Sequence, residues 1–235
     1  MKSFRILLAV SLLTGLCACS SGGKDNADLT AGAPGSWEVY DTVFTSVLTP
    51  EETELFADAT EGLVGVTYEP AAILAVQLVS GTNYAYLAKG TTVSQTPAAG
   101  WYVVTVYRDL EGAVSLLSAE QIDIADIKTT EARTEYTLGS WKVDERTVNA
   151  AVLPENAHKA FNAAMEDFTG VGFEPIGLLA TQPVAGTNYL ILAKAQDVST
   201  GAGSLLYAVT VYEDASGSCR IADEKPFDLT AYISN

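Results

Sequence analysis

Histidine is nearly absent from this chain, whose 235 residues include only His158. A serine or cysteine nucleophile is activated by a neighbouring base, and a single histidine cannot be assigned to any nucleophile from the sequence. His158 lies in a predicted helix beside Ala157 and Lys159, where a lone histidine is typical of a surface residue. The sequence therefore predicts a protein that is not an enzyme.

Motifs for metals and cofactors are missing as well. The three cysteines and one histidine do not have the spacing of a zinc site, and no Asp-x-Asp-x-Gly pattern suggests a calcium loop. The carboxylates are numerous but scattered, and Glu51, Glu52 and Glu54 have the positions of helix-start and solvent-face charges. We expect no cofactor and no bound metal.

Basic residues are scarce: 13 Lys and Arg stand against 29 Asp and Glu, which gives a formal net charge of −16. Loss of Lys2 and Arg5 with a signal peptide would bring the charge near −18 (−16 minus 2). Such a surface repels phosphate backbones and anionic lipid headgroups, and it attracts basic proteins. Nucleic acid is therefore not an expected partner.

Residues 1–18 have the charged start and short apolar run of a signal peptide, and this run is too short for a comfortable membrane span. The run Leu16-Cys17-Ala18-Cys19 resembles a bacterial lipobox, in which the cysteine after a small residue becomes the lipidated N-terminus. The resemblance implies that Cys19 anchors the mature protein by lipid to a membrane of the bacterial cell envelope, on the extracytoplasmic side. A plain secreted protein with chance cysteines is the alternative.

Residues 19–34 are small and polar without periodicity, which predicts a flexible tether. Processing at Cys19 would leave Cys219 as the only thiol, so no intramolecular disulfide could form and the fold would depend on its apolar core. Cys219 lies at the start of a predicted strand, where a structural thiol is favoured over a nucleophile.

The rest of the chain is a tandem duplication. Residues 35–39 (GSWEV) return as 139–143 (GSWKV), an offset of 104 that becomes 105 from Thr42 onward. Each copy has the size of a compact domain. We predict units at 35–124 and 139–235, joined by a polar linker at 125–138 that would let them move separately.

Each unit is predicted to contain one amphipathic helix. The run Thr49-Pro50-Glu51-Glu52 combines an N-cap residue, a proline at the first helical position and an acid three residues after the cap. The predicted apolar faces are Leu55, Phe56, Ala59 and Leu63 in unit one, and Ala160, Phe161, Ala164 and Phe168 in unit two, whose helix starts near Pro154.

Four strand-like runs follow each helix, and a short one at 37–39 precedes the first. They are 72–76, 84–89, 102–107 and 114–117 in unit one, and 177–181, 189–194, 207–212 and 219–222 in unit two. In the run 102–107, alternate residues are predicted to cover the helix and to meet water. The side facing the helix is Tyr102, Val104 and Val106, and the side facing water is Val103, Thr105 and Tyr107. This order predicts an α+β unit with one helix packed on a curved antiparallel sheet.

An eight-residue pattern recurs between the first two of these runs, as QLVSGTNY at 77–84 and QPVAGTNY at 182–189. Gly81 and Gly186 are predicted to form the bend of a hairpin, where a residue without Cβ accepts positive φ. The pattern Gln-x-Val-x-Gly followed by Thr-Asn-Tyr resembles the first inhibitory loop of the cystatins, which are inhibitors of papain-like cysteine proteases.

The resemblance implies two tandem cystatin-like domains with a papain-like cysteine protease as partner, and it implies three parts of a wedge. The inhibitory hairpin loops would be Gln77, Leu78, Val79, Ser80 and Gly81, with Gln182, Pro183, Val184, Ala185 and Gly186 in unit two. The N-terminal trunks would begin at Gly35 and Gly139. The second hairpin loops would be Asp109, Leu110, Glu111 and Gly112, with Asp214, Ala215, Ser216 and Gly217 in unit two.

The second loop departs from the family pattern, which often carries Pro-Trp, because here it is acidic and offers only Leu110 as an apolar side chain. An aromatic anchor can be an interface hot spot, so its absence bears on inhibition. Two alternatives therefore stand beside the inhibitor. One is a non-inhibitory extracytoplasmic binding or adhesion module. The other is that the motif has only a structural role, with Gly81 and Gly186 closing a hairpin.

The tryptophans give two further expectations. Trp37 and Trp141 recur in the duplication, which predicts packing against the sheet. Trp101 has no counterpart, since Leu206 occupies that position, and two interpretations stay open for it. It is either an exposed contact residue next to the loop 95–100 or an aromatic residue at the start of a strand.

Overall fold

The structure, a computed structural model, describes most of both units. Its described residues are 35–40, 47–127, 140–143, 153–166, 168–169, 171–196 and 205–233. The predicted signal peptide, the tether at 19–34, Cys19 and Gly139 lie outside the described residues. Within the described part, no helix is both long and apolar enough to cross a membrane.

Unit one forms a five-stranded antiparallel sheet in the order β1-β2-β3-β4-β5. Its strands are β1 (Trp37–Val39), β2 (Val66–Val79), β3 (Gly81–Thr92), β4 (Ala99–Arg108) and β5 (Val114–Gln121). Helix α1 (Pro50–Thr60) lies between β1 and β2, and the single turn α2 (Ile124–Ile127) follows β5. Every predicted strand of this unit is confirmed, but β2 to β5 are longer than predicted because the hairpin ladders continue to the turns.

Unit two forms a four-stranded antiparallel sheet in the order β6-β7-β8-β9, and helix α3 (Glu155–Glu166) precedes it. Its strands are β6 (Gly172–Val184), β7 (Gly186–Gln196), β8 (Leu205–Asp214) and β9 (Cys219–Pro226), followed by a 3-10 turn at Leu229–Ala231. At the position that corresponds to β1, the described residues form one isolated bridge between Lys142 and Thr181.

Helix α1 begins where its capping signal predicts. The Thr49 side chain accepts a hydrogen bond from the Glu52 amide, and the Glu52 side chain accepts one from the Thr49 amide at 2.7 Å. Such a capping box satisfies two backbone donors that have no partner within the helix, which stabilises the helix by about 1 kcal/mol. Glu52 also ties the helix to the sheet, since its second carboxylate oxygen accepts from the Tyr40 hydroxyl and its carbonyl accepts from the Tyr86 hydroxyl.

Each helix buries its apolar face on the outer side of its own sheet. Leu55, Phe56 and Ala59 of α1 pack with Val104 and Val106 of β4. The corresponding residues of α3 are Ala157, Ala160, Phe161 and Ala164, which pack with Val209 and Val211. Leu63 and Phe168 were predicted to belong to the apolar faces of the two helices. This prediction is wrong, because both residues lie beyond the last helical residue.

The inner faces of the two sheets pack against each other and form one shared hydrophobic core. Residues from β1 to β4 meet residues from β6 to β8 in this core, which also contains Ile127 of α2 and Phe227, Leu229 and Ile233 after β9. The core positions on the strands include Trp37, Leu74, Leu87, Trp101 and Val103 in unit one, and Leu179, Leu190, Leu192 and Leu206 in unit two. The shared core is therefore the layer that joins the duplicated halves.

The predicted fold of two tandem cystatin-like domains, each one helix packed on a curved sheet, is wrong. The described residues are mostly antiparallel sheet, with the short helices α1 and α3 and the single turn α2, and the sheets cover each other instead of standing apart. Burial of apolar area drives this arrangement, because a sheet with one face in water could not carry so many apolar residues on that face. Most of the linker predicted at 125–138 lies outside the described residues, and Ile127 near its start belongs to the shared core.

Strand β4 shows why the sequence pattern predicted a solvent-facing side for the sheet. The face of Val103 and Thr105 was predicted to meet water, but both side chains are fully buried. Val103 belongs to the shared core, whereas Val104 packs under α1, so β4 is covered on both sides. Period-two alternation separates the two faces of a strand, but it does not show which of them is covered when both carry apolar residues.

The open interpretations of the tryptophans are also resolved. Trp101 is the third residue of β4 and is only 2% exposed, so it is a core residue of a strand and not an exposed contact. Trp37 is buried in the shared core, and Trp141 packs against the same core, as predicted. His158 lies on the exposed side of α3.

Candidate functional site

The first recurring motif forms the tip of the β2–β3 hairpin. Strand β2 ends at Val79, Ser80 makes the turn and β3 begins at Gly81, whose φ is +123°. In unit two, β6 ends at Val184, Ala185 makes the turn and β7 begins at Gly186, whose φ is +136°. The predicted hairpins with a positive-φ glycine are confirmed in both units.

Positive φ is only one of two reasons for glycine at these positions. A Cβ on Gly81 would overlap the carbonyl oxygen of Arg108 on the next strand, and a Cβ on Gly186 would overlap that of Glu213. The strand that follows each hairpin, β4 in unit one and β8 in unit two, therefore passes too close to the turn for any side chain there. This contact links the hairpin to the β4 and β8 backbones, which a pattern confined to eight residues could not reveal.

The Gln and Asn of the motif pair with each other across the hairpin. The Asn83 side-chain amide donates to the Gln77 Oε1 at 2.7 Å, and Asn188 donates to Gln182 in the same way at 2.9 Å. The two residues are register partners in each ladder. Their recurrence in the sequence thus has a structural cause, since they hold the two strands together just below the turn.

A tyrosine from the strand after the hairpin, β4 or β8, holds the turn in each unit, and sequence reasoning missed it. The Tyr107 hydroxyl donates to the Ser80 carbonyl, and the Tyr212 hydroxyl donates to the Ala185 carbonyl at 2.8 Å. Both tyrosines recur at the offset of 105, which is the one signal that could have identified them. The turn is consequently fixed by side-chain contacts in addition to the backbone ladder.

In unit one, the residues just before β1 are hydrogen-bonded to the same hairpin. Gln77 Nε2 donates to the Gly35 carbonyl at 2.8 Å, and Gly35 has a φ of +82° two residues before β1. Strand β1 runs antiparallel to β2 with Trp37 opposite Gln77. The residue predicted as the N-terminal trunk therefore lies beside the predicted inhibitory loop.

The second turn of unit one lies at the same end of the sheet. Arg108 is the register partner of Thr82, and the turn 109–112 follows it directly. Asp109 Oδ1 accepts hydrogen bonds from the amides of Glu111 and Ala113, which closes a compact turn with Gly112 at a φ of +93°. We call Gly35, the hairpin tip 77–81 and the turn 109–112 the hairpin edge of unit one.

Apolar side chains project from the hairpin edge. Leu78 is 70% exposed, Val79 is 45% exposed and Leu110 is 78% exposed. The charged side chains around them are mainly acidic. Glu38, Asp109 and Glu111 are the acidic residues, of which Asp109 is partly buried, and Arg108 is basic. The edge is thus a narrow ridge with an apolar crest and an acidic border.

The corresponding tip of unit two has a different surface. Pro183 is exposed, Val184 is half-buried, and the turn 214–217 contributes Ala215 and Ser216. Asp214 Oδ1 accepts from the Ser216 hydroxyl and from the amides of Ser216 and Ser218, and the Ser216 hydroxyl above all lowers the pKa of the Asp214 carboxyl. Gly217 closes the turn at a φ of +85°.

The β3–β4 connection of unit one lies near this second tip. A groove of about 890 Å³ is lined by Pro97 and Ala98 from the β3–β4 connection, by Ala99 at the start of β4, and by Thr181 and Thr187 beside the second hairpin. The end of unit one that is opposite its own hairpin edge therefore lies next to the hairpin of unit two. The two hairpins are consequently at opposite ends of the sandwich.

Cys219 lies at the start of β9, as predicted, and is partly buried. Burial raises the pKa of the Cys219 thiol, and the nearby carboxylates of Glu213 and Asp214 raise it further. A thiol with a raised pKa is a poorer nucleophile at neutral pH, which agrees with a structural role.

No model of a known protein family matches this chain, and no curated protein matches it either. Among the described residues, no group of three His, Cys, Asp or Glu side chains could hold a metal ion. The geometry of the hairpin edge is therefore the basis on which a function can be assigned.

Proposed function

We propose that this protein inhibits papain-like cysteine proteases by inserting the hairpin edge of unit one into the protease cleft. The observation that carries the proposal is the convergence of Gly35, the tip 77–81 and the turn 109–112 at one end of the five-stranded sheet. Three segments that are distant in sequence thereby form one continuous ridge. A ridge of this kind is complementary in shape to an extended cleft.

The exposed side chains of the ridge would supply the binding energy. Full burial of one leucine side chain contributes about 1.5–3 kcal/mol, so Leu78 and Leu110 together would account for a substantial part of a micromolar affinity. Exposed apolar groups at the centre of an acidic border are the arrangement expected of an interface core with a polar rim.

The rigidity of the tip supports inhibition over cleavage. The ladder between β2 and β3, the Gln77–Asn83 pair and the Tyr107 hydroxyl on the Ser80 carbonyl hold the turn in one conformation. A substrate must adopt an extended conformation in the cleft, and this turn cannot extend without losing those bonds. Pre-organisation also lowers the entropy cost of binding.

The proposed anchor gives the inhibitor its place in the cell. A lipid on Cys19 would hold the protein at a membrane of the bacterial cell envelope, facing away from the cytoplasm, with residues 20–34 as the spacer. The hairpin edge would then meet proteases outside the cytoplasm.

Two observations favour a second candidate, a binding or adhesion module without inhibitory activity. The Gln77–Asn83 pair and the close approach of Gly81 to Arg108 each give the motif a purely structural cause. The motif by itself therefore does not require a protease, and the exposed crest of Leu78, Val79 and Leu110 could bind another protein surface.

The experiment that tests the proposal is a titration of papain with residues 31–235, which contain both units. We expect inhibition at micromolar concentration or below. Leu78→Asp should weaken it at least tenfold, because a carboxylate would be placed in an apolar contact. Val93→Asp is the matched control, since Val93 is 71% exposed against 70% for Leu78 and directly follows β3 at the opposite end of the hairpin.

Circular dichroism and urea unfolding should show that both variants fold like the parent, because substitutions at exposed positions usually change stability little. Absence of inhibition by the parent at micromolar concentration contradicts the proposal. Binding to papain without loss of its activity would instead support the second candidate.

A further inference from the structure

The two hairpin tips are duplicates in sequence pattern but not in surface. We infer that the inhibitor is single-headed, with Leu78 and Leu110 as the residues that determine binding and with unit two serving as the support of unit one. This inference rests on the proposed function, since it concerns the same protease contact.

The first reason is the apolar crest. At the offset of 105, Leu78 corresponds to Pro183 and Leu110 corresponds to Ala215. Each buried methylene group is worth about a fourfold change in affinity, so replacing leucine by alanine at one contact costs on the order of fiftyfold. Val184 is also half-buried where Val79 projects. The tip of unit two therefore offers little of the apolar surface that the proposal requires.

The second reason is the backbone of the tip. Pro183 has no amide hydrogen, whereas Leu78 at the same position carries one. A cleft that recognises the main chain of the Leu78 region would lose one donor at unit two. This loss would add to that of the leucine side chain.

The third reason is access. The hairpin edge of unit one contains Gly35, which Gln77 binds directly. At unit two, Thr181 and Thr187 line a groove whose other side includes Pro97–Ala99 of unit one. A protease that covered the second tip and its flank would meet this segment, because the two sheets are packed with their hairpins at opposite ends.

The role left to unit two is structural. Its strands supply half of the shared core, with Leu179, Leu190 and Leu192 covering the inner face of the first sheet. The duplication thus supplies a second sheet that stabilises the first, while the surface of the second tip lacks the apolar crest.

The test is an active-site titration of papain with residues 31–235, together with two matched double variants. We expect one protease molecule bound per chain. Leu78→Asp with Leu110→Asp should abolish inhibition by at least a hundredfold, and Pro183→Asp with Ala215→Asp should leave it unchanged within twofold. All four positions lie at turns or exposed strand ends, and urea unfolding would verify that the variants keep the fold.

A stoichiometry of two proteases per chain would overturn the inference while leaving the proposed function intact. So would inhibition that persists in the Leu78→Asp, Leu110→Asp variant, or that falls more than tenfold in the Pro183→Asp, Ala215→Asp variant. Absence of any inhibition by the parent chain would instead reject the proposed function, and the single-headed inference with it.

Discussion

The indole nitrogen of Trp101 donates a hydrogen bond to the carbonyl oxygen of Leu179 at 2.8 Å, and the bond is buried between the two sheets. Trp101 is the third residue of β4, and Leu179 lies in the middle of β6. This bond joins residues 78 positions apart and fixes one unit against the other at a defined point. It occurs once in the duplication, because Leu206 replaces the tryptophan in unit two.

The first prediction concerns this bond. Trp101→Phe should lower the free energy of unfolding by about 1–3 kcal/mol more than Trp37→Phe does, because it leaves the Leu179 carbonyl buried without its donor. Trp37 is the matched control: it is 1% exposed in the same core, and its indole nitrogen has no partner among the described residues. Urea unfolding of both variants measures the difference. Equal losses would mean that the bond contributes nothing beyond the packing of the ring.

The second prediction concerns cooperativity. Because the core is shared, residues 31–235 should unfold in one transition with coincident circular dichroism and tryptophan fluorescence. The separate fragments 31–127 and 136–235 should each expose the inner face of a sheet, and they should therefore bind a hydrophobic dye or self-associate. Mixing the fragments should reverse this behaviour. Two monomeric fragments that are each as stable as the whole chain would contradict a shared core.

The third prediction concerns the turn glycine. Gly81→Ala should destabilise the protein more than Gly65→Ala does, although both glycines have positive φ, at +123° and +94°. A Cβ at residue 65 meets nothing within 4 Å, whereas one at residue 81 would overlap the Arg108 carbonyl. Both variants carry a backbone cost of about 1 kcal/mol, and only Gly81→Ala adds the steric one. Urea unfolding compares the two variants. Equal losses of unfolding free energy would show that the β4 backbone shifts away from residue 81 at no cost.

The same contact explains why substitutions at Gly81 are poor probes of function. A side chain there disturbs the hairpin itself, so lost inhibition would not distinguish a blocked contact from a distorted turn. Leu78 is the better position because its side chain is in solvent.

The fourth prediction concerns alkaline pH. Burial raises the pKa of Tyr40 to about 12 and that of Tyr189 to about 12, and hydrogen bonds to the carboxylates of Glu52 and Glu213 add to the effect. Since the folded state holds these protons more tightly than the unfolded state, their contribution to stability is complete below pH 10 and is lost as pH rises from about 10 to about 12.

The measurement is the free energy of unfolding between pH 9 and pH 12, with the range set by these pKa values. A variant with Tyr40→Phe and Tyr189→Phe should lose stability less steeply over this range than the parent does. Identical slopes would show that neither hydroxyl is protected by the fold.

The sequence by itself determined the local elements of this protein. The run Thr49-Pro50-Glu51-Glu52 placed the start of α1 correctly, because a capping box is formed by residues within one turn. The duplication and the hairpins with glycine at their bends were also readable, since they depend on neighbours in sequence. The Gln, Gly and Asn of the motif were identified, but the contacts of the turn with Arg108 and Tyr107 emerged only when β4 was in place.

Only the tertiary structure decided what covers the second face of each sheet. Val103 and Thr105 alternate as a solvent-facing row would, and no local pattern distinguishes water from a second sheet. Leu179 and Trp101 are 78 positions apart, so their contact depends on the closure of a long loop and on the packing of two complete sheets. The same packing set the two hairpin tips at opposite ends and left Leu78 and Leu110 exposed on one of them, because burial is a property of the assembled core and not of the sequence motif.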